Sequence, residues 1–230
     1  MGAFLELADA FLADTQVQAD LLERLLGDAA DASDPLRGLG GSAYLQRIHG
    51  LKTGTPPRCD LEKEKELHLA LRALIHSGAV KSAHDCSEGG LAVALAESCI
   101  SQQIARETPR LIGAQVDLTA LAGSPAPPLE ERVGERRPAN PLDAVASPAT
   151  PALRLDALLF GEAQGRVIIS VAALNADKVL AQAKILGITA TRIGTVGDQT
   201  LEIKTGGAAL SCELPELHDL WWNAIGRLMC

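Results

Sequence analysis

The stretch SAHDCSEGGLAVALAESC, residues 82–99, constrains the fold of this chain more than any other. Ala79–Ala83 is a run of mainly small and apolar residues that fits a strand, and a polar cluster and two glycines come after it. Apolar residues in Leu91–Ser101 then recur at the spacing of an amphipathic helix. The pattern predicts a strand, a polar turn and a helix in direct succession, as in an α/β domain.

Helical and extended patterns also alternate along the rest of the chain. Further helices are predicted within Phe4–Ala30, after a cap at Asp60 with a stop at Gly78, at Asn175–Leu186 and at 216–228. Further strands are predicted at Arg166–Val171, 189–196, 200–204 and 208–214. The predicted fold class is therefore α/β, a mixed sheet with helices packed on it.

Three details of these elements are specific enough to check. The Gly197-Asp198 pair predicts a tight hairpin between strands 189–196 and 200–204. The predicted buried stripe of the helix after Asp60 is Leu67, Leu71, Leu74 and Ile75. The predicted inward residues of the last helix are Leu217, Leu220, Trp221 and Ile225.

Proline and glycine content predicts the domain organisation. Residues 1–37 are predicted to form a helical N-terminal segment and linker, and residues 38–230 the α/β domain. Seven of the twelve prolines fall between Pro125 and Pro151, so a flexible surface insertion is predicted at about 123–151.

Charge and cysteine content exclude several classes of partner. A formal net charge of -8 and a pI near 5.1 disfavour nucleic acid and anionic membranes, because such surfaces would repel the chain. The five cysteines are odd in number and form no CxxC pair, which favours reduced thiols in a cytoplasmic protein. No apolar run approaches the roughly 20 residues that span a bilayer.

The polar turn carries the chemistry of an anion and metal site. Asp85 and Glu88 are hard oxygen ligands suited to magnesium, which commonly bridges carboxylates and phosphates. Ser87 and the backbone at Gly89 and Gly90 lie where a helix start can hold a phosphate. The alternative is structural: Asp85 or Ser87 caps the helix, and the glycines allow close packing.

Two neighbours in this turn are also chemically capable. His84 is either a general base or a hydrogen-bonded structural residue at the strand end. Cys86 would need a base and an oxyanion device to act as a nucleophile, and His84 two residues away is the nearest base in the sequence.

A second candidate lies at the entrance to the strand after residue 166. Glu162, Gln164 and Arg166 alternate in FGEAQGR, so their side chains can share one side and bind a polar, phosphorylated small molecule. The alternative is a salt bridge between Arg166 and Glu162. The glycine loop Gly38–Ser42 lacks a P-loop pattern and is weak evidence for phosphate binding.

Five motifs occur together in one order: LGGSAYLQRIHG, TPPRCDLEKEKEL, SAHDCSEGGLAVALAESC, LFGEAQGRVIISV and ELHDLWW. From about Gly38 to the C-terminus, outside the proline-rich insertion, they resemble phosphoribosylformylglycinamidine synthases. The match is to the C-terminal domain of the aminoimidazole ribonucleotide synthetase type.

The resemblance implies part of a ligase of purine biosynthesis that forms a carbon-nitrogen bond. With ATP and Mg²⁺, such an enzyme converts formylglycinamide ribonucleotide and glutamine-derived ammonia to the amidine, mainly by positioning and charge stabilisation. It also implies that Asp85 binds magnesium, Ser87 contacts nucleotide, and Glu162 and Gln164 contact substrate. No residue of this chain is assigned a catalytic role.

Differences from the family pattern limit that transfer. Glu88, Ala43 and Ala163 stand where the family usually has Asp, Glu and Ser. The upstream nucleotide motifs and the glutaminase are absent, so nucleotide-binding synthetase domains and a glutaminase are the expected partners, and the isolated chain is expected to be inactive. One alternative is a non-catalytic structural or dimerisation module, and another is a sister enzyme for a different phosphorylated amide or selenium substrate, which GGSAYL disfavours.

Overall fold

The computed structural model describes residues 17–22, 38–57, 59–100, 111–121, 155–163 and 165–229. The described helices are α1 Ala43–His49, α2 Leu61–His76, α3 Gly90–Ile100, α4 Leu155–Phe160, α5 Ala176–Ile185, α6 Leu214–Trp222 and α7 Ala224–Met229. The described strands are β1 Val17–Leu22, β2 Val80–Asp85, β3 Ala114–Asp117, β4 Val167–Ala172, β5 Thr191–Arg192, β6 Gly194–Val196, β7 Thr200–Lys204 and β8 Ala209–Glu213.

These strands form one mixed sheet, which confirms the predicted α/β class. The order is β2-β4-β1-β6-β3-β7-β8, with β5 also paired to β1. β3 and β7 are parallel, whereas the other paired strands are antiparallel. β2 is an end strand of the described sheet, so its last residue lies beside open surface rather than between two strands.

The apolar run of β4 explains why helices cover both faces of the sheet. Val167, Ile169 and Val171 pack with α2 and α5 in one cluster. Ile168 points to the other face and packs with α3 in a second cluster. Because adjacent strand residues point to opposite faces, a continuous apolar strand requires a helical layer on each side.

The helix predicted after Asp60 is confirmed as α2. The Asp60 side chain accepts a hydrogen bond from the Lys63 backbone N–H at 3.2 Å and caps the helix. Leu67 and Leu74 are buried as predicted, but Ile75 is 45% exposed. The buried stripe is therefore narrower than predicted.

The helical prediction for Phe4–Ala30 is wrong at β1, and the rest of that range lies outside the described residues. Val17–Leu22 pairs antiparallel with β4 from Val17–Ala172 to Leu22–Val167. β4 already pairs with β2 on its other side, and the backbone groups on both sides of a buried strand need partners. That requirement, which depends on residues 145 to 155 positions away, overrides the local helical spacing.

The predicted hairpin at Gly197-Asp198 is also wrong. β6 and β7 do not pair with each other in the described sheet, because β3 lies between them. Gly113, just before β3, receives the Gly197 N–H at 2.8 Å and donates to the Asp198 carbonyl at 3.0 Å. The turn therefore wraps around the start of a third strand.

The last predicted helix is two helices, α6 and α7, that meet at Asn223. Leu217 and Trp221 pack on the core as predicted, whereas Leu220 and Ile225 are 50% and 73% exposed. A stripe that continues to residue 225 requires one unbroken helix. The proline-rich insertion lies outside the described residues, and no helix within the described ranges is long and apolar enough to cross a membrane.

Candidate nucleotide and metal site

Asp85, the predicted metal ligand, is the last residue of β2 and lines a surface pocket of about 360 Å³. The pocket lies between the end of this strand, the following turn and α2. Its lining residues are His68, Leu71, Ala83, His84, Asp85, Ser87 and Val167. The structure thus brings Asp85 and Ser87 together and adds two imidazoles.

The carboxylate of Asp85 is poised to carry negative charge in this pocket. Its side chain is 58% exposed. A hydrogen bond with the Ser87 side chain is the main cause that lowers the pKa of Asp85, with smaller contributions from backbone hydrogen bonds and from nearby His84. Partial burial opposes the shift without cancelling it. Asp85 is therefore available as an anionic oxygen ligand.

His84 is held at both ring nitrogens. Nδ1 lies 2.7 Å from the backbone carbonyl oxygen of Asp85, and Nε2 lies 3.2 Å from Oε2 of Glu97 on α3. Both ring nitrogens therefore face oxygen atoms of the protein itself rather than a ligand. This arrangement agrees with the structural alternative for His84.

Cys86 points into the core rather than into the pocket. The residue is fully buried among the residues that surround α3, and its backbone N–H donates to the Arg166 carbonyl at 2.9 Å. A nucleophile must reach its substrate, so the geometry does not support a Cys86-His84 catalytic pair.

The two glycines after the turn meet a neighbouring carboxylate. Gly89 donates its backbone N–H to Glu162 Oε1 at 2.9 Å, so this donor is already used within the fold. A Cβ atom on Gly90 would lie 2.8 Å from backbone atoms of Leu159 and Phe160. The start of α3 therefore packs tightly against the end of α4, as in the structural alternative for these glycines.

Glu162 also reaches the start of α1. The same oxygen, Oε1, accepts the Ala43 backbone N–H at 2.9 Å. Ser42 accepts the Leu45 N–H at 3.3 Å and caps that helix. One carboxylate thus joins two helix N-termini, where negative charge is favourable.

Arg166 differs from its predicted place beside a ligand. The residue is 1% exposed, and its guanidinium donates to the carbonyl oxygens of Leu158 at 2.8 Å and Gly161 at 3.2 Å. Its hydrogen bonds fix the end of α4 and the segment that presents Glu162, rather than a bound molecule. Gln164 lies outside the described residues.

Two residues near the site were not found by sequence reasoning. His68 lies on α2, and Glu97 lies on α3 two turns beyond the glycines. Both occupy ordinary positions on helices, and only the packing of those helices against β2 brings them close to His84. Glu97 lies within the quoted motif SAHDCSEGGLAVALAESC and His68 directly follows TPPRCDLEKEKEL, but neither pattern distinguishes them as site residues.

The donor set fits a metal that is shared with a ligand rather than one held by protein alone. Within the described part of the chain, no group of three or more His, Cys, Asp or Glu side chains could hold a metal ion. Mg²⁺ usually binds through one or two carboxylates together with water and phosphate oxygens. The single carboxylate of Asp85 with the Ser87 hydroxyl nearby meets that requirement in part.

Comparison with known proteins identifies relatives that cover most of the chain. Residues 25–205 match the family described as AIR synthase related protein, C-terminal domain. The phosphoribosylformylglycinamidine synthase subunit PurL of Anaeromyxobacter dehalogenans is 35% identical over 209 residues, which cover 90% of this chain and 23% of that protein. The same subunit of Moorella thermoacetica is 35% identical over 192 residues, 83% of this chain and 21% of that protein. The chain therefore spans less than a quarter of these relatives.

Solved structures agree in fold. Thermotoga maritima PurL complexed with FGAR matches with a TM-score of 0.55 and 16% identity, covering 90% of this chain and 28% of that one. The complex of the same protein with ATP gives a TM-score of 0.51 with 16% identity, over 90% and 26% of the two chains. These similarities support the arrangement of helices and strands described above.

Proposed function

Because the chain belongs to the family of AIR synthase related proteins, C-terminal domain, we propose that it is the C-terminal part of a phosphoribosylformylglycinamidine synthase. The observation that carries the proposal is the 35% identity to PurL subunits over about nine-tenths of the chain. The reaction is ATP-dependent amidine formation from formylglycinamide ribonucleotide and ammonia, in purine biosynthesis. The cytoplasm, expected from the cysteine content, is the proposed location.

Asp85 and Ser87 are the residues proposed to face magnesium and nucleotide. The support is their position at one pocket, the exposure of the Asp85 carboxylate and its lowered pKa. When bound, magnesium would neutralise phosphate charge. Asp85 supplies one oxygen ligand, and Ser87 keeps that carboxylate ionised and oriented.

The roles of the remaining predicted residues divide by their contacts. The Glu162 carboxylate binds backbone N–H groups at the starts of α1 and α3, and the Arg166 guanidinium binds carbonyl oxygens at the end of α4. Both side chains therefore stabilise the helices around the site. Gly89 and Gly90 allow the close approach of α3 to α4. Gln164 is retained as a substrate contact from the family resemblance.

Other domains are needed to complete such a site. Asp85 is the one carboxylate among the residues that line the pocket, and the chain spans only 23% of its Anaeromyxobacter relative. The proposed partners are therefore the nucleotide-binding synthetase domains and a glutaminase that supplies ammonia. One observation favours a second candidate, a non-catalytic structural module: the carboxylate of Glu162 already occupies the backbone donor at Gly89 that a phosphate would use.

A domain exchange tests the proposal. This chain replaces the matching C-terminal part of the Moorella relative, and amidine formation is assayed with ATP, formylglycinamide ribonucleotide and ammonium. We expect the chimera to be active and this chain alone to show no activity. Asp85→Ala should lower the activity of the chimera at least tenfold, because substitution even of residues that only orient a metal ligand typically costs 10- to 100-fold. An active, folded chimera that is insensitive to Asp85→Ala favours the structural module, and turnover by the isolated chain contradicts a role as part of a larger assembly.

A further inference from the structure

Glu97 and His84 form a contact that the proposed chemistry does not use. Glu97 Oε2 lies 3.2 Å from His84 Nε2, and the two side chains are 35% and 34% exposed. On the opposite side of the ring, Nδ1 lies 2.7 Å from the Asp85 carbonyl oxygen. The imidazole therefore bridges the carboxylate on α3 and the backbone at the end of β2.

The sheet register explains how this bridge forms. His84 is the register partner of Ile168, whose side chain packs on the face of the sheet that α3 covers. Asp85 is the partner of Val167, which packs on the α2 face. Since successive strand residues point to opposite faces, His84 can reach Glu97 on α3 from the edge of the pocket, while Asp85 lies on the α2 face.

β2 is an end strand of the described sheet, so its final residue has a strand neighbour on one side only. Backbone hydrogen bonds hold it on that side, since Asp85 pairs with Val167 and the Cys86 N–H donates to the Arg166 carbonyl at 2.9 Å, whereas no strand of the described sheet holds its other side. The His84 ring adds a side-chain contact at this end, because its Nδ1 lies 2.7 Å from the Asp85 carbonyl oxygen and 3.9 Å from Asp85 Oδ1. A ring with an oxygen atom beside each nitrogen has a fixed rotation, so it restrains the Asp85 carbonyl directly and limits the space open to the Asp85 carboxylate beside it.

We propose that Glu97 is a positioning residue for this site, which acts on Asp85 through the His84 ring. Glu97 is not among the residues that line the pocket, so it does not touch the ligand. The expected effect of Glu97 on ligand binding rests on the proposed function. The expected effect of Glu97 on the geometry of Asp85 is independent of that function.

Substitution of Glu97 in the full chain tests the proposal. Glu97→Ala removes the contact with His84, Glu97→Gln keeps an acceptor oxygen at the same distance along the side chain, and Glu66→Ala removes an exposed glutamate from α2 as a matched control. The readouts are the ¹⁵N resonances of the His84 ring, the ¹³C resonance of the Asp85 carboxyl, the affinity for Mg-ADP and the thermal midpoint.

We expect Glu97→Ala to shift both resonances and to weaken Mg-ADP binding roughly tenfold, in the range typical of residues that orient a metal ligand. The thermal midpoint should stay within about 2 °C of wild type. Glu97→Gln should recover most of the affinity, and Glu66→Ala should match wild type in every readout.

An unshifted Asp85 carboxyl resonance in Glu97→Ala overturns the proposal, and so does a loss of affinity that only accompanies a lowered midpoint. If wild type does not bind Mg-ADP, or Asp85→Ala binds it equally well, the proposed function fails instead. The two resonances still decide the positioning role in that case.

Discussion

The carboxylate of Glu162 accepts the backbone N–H of Gly89 at 2.9 Å, although 73 residues separate them in the chain. The same oxygen accepts the Ala43 N–H, so one side chain joins the starts of α1 and α3. The family resemblance implies that Glu162 binds substrate. Its contacts in the structure hold the turn that contains Asp85 and Ser87, and a substrate contact of Glu162 stays a prediction.

Substitution of Glu162 should therefore reduce stability. Glu162→Ala leaves two partly buried N–H groups without their acceptor, which costs about 2–3 kcal/mol in the free energy of unfolding. Glu162→Gln keeps an acceptor oxygen and loses only the charge at the helix starts, about 1 kcal/mol. Urea denaturation measures both values, with the exposed Glu88→Gln as control. Wild-type stability in Glu162→Ala would leave substrate contact as the better explanation.

Gly90 should be far less replaceable than a glycine of similar backbone angle elsewhere. Gly90 has a φ of +72°, and an added Cβ would lie 2.8 Å from the backbone of α4. Gly187 has a φ of +73° with no atom within 4 Å of such a Cβ. Gly187→Ala should cost about 1–2 kcal/mol from the left-handed backbone alone. Gly90→Ala should cost about 1–3 kcal/mol more, because the added methyl group overpacks the contact with α4. Urea denaturation measures the free energy of unfolding of both variants, and equal decreases would show that α3 and α4 are not in close contact.

The parts of the fold that depend on local pattern were predicted from the sequence. α2 with its Asp60 cap, α3 after the glycines and the apolar strand β4 all follow from spacing within a few residues. β1 and the turn at Gly197 were not predicted correctly. Their structures depend on which strands become neighbours, and pairing over long sequence separations leaves no local signature.

The same division applies to the candidate site. Asp85 and Ser87 were found because they lie two positions apart in one motif, and the structure places both at the pocket. Arg166 was misplaced because alternation along a strand does not say which face is buried. His68 and Glu97 lie on helices that tertiary packing brings to β2, so the sequence pattern did not single them out, although Glu97 belongs to the same motif as Asp85.

Ser87 should control the ionisation of Asp85. Its side-chain hydrogen bond is the largest cause of the lowered pKa, so Ser87→Ala should raise the pKa of Asp85 toward its usual value of 3.8. A lowered pKa stabilises the folded state above the usual value, and this contribution is lost as pH falls through the folded-state pKa. The stability difference between wild type and Ser87→Ala should therefore be present at neutral pH and shrink in acid. A carboxyl ¹³C titration tests this directly, and an unchanged Asp85 pKa in Ser87→Ala would contradict it.

The cysteines should differ sharply in reactivity. Cys59 is exposed, whereas Cys86 and Cys99 are buried, and burial raises the pKa of the Cys99 thiol to about 12. In native protein, iodoacetamide should modify Cys59 more than about 100-fold faster than Cys86 or Cys99, because a core segment opens rarely. Peptide mass mapping over time gives each rate. Rapid labelling of Cys86 would contradict its burial and support a reactive thiol at this position.

Calorimetric titration of the chain with ADP, with and without Mg²⁺, tests most directly whether the pocket at the end of β2 is half of a magnesium-nucleotide site. We expect binding that requires Mg²⁺ and weakens at least tenfold in Asp85→Ala, a loss in the range typical for perturbed metal sites. The Glu66→Ala control should bind like wild type. Equal affinity in wild type and Asp85→Ala, or binding that is indifferent to Mg²⁺, would contradict the assignment.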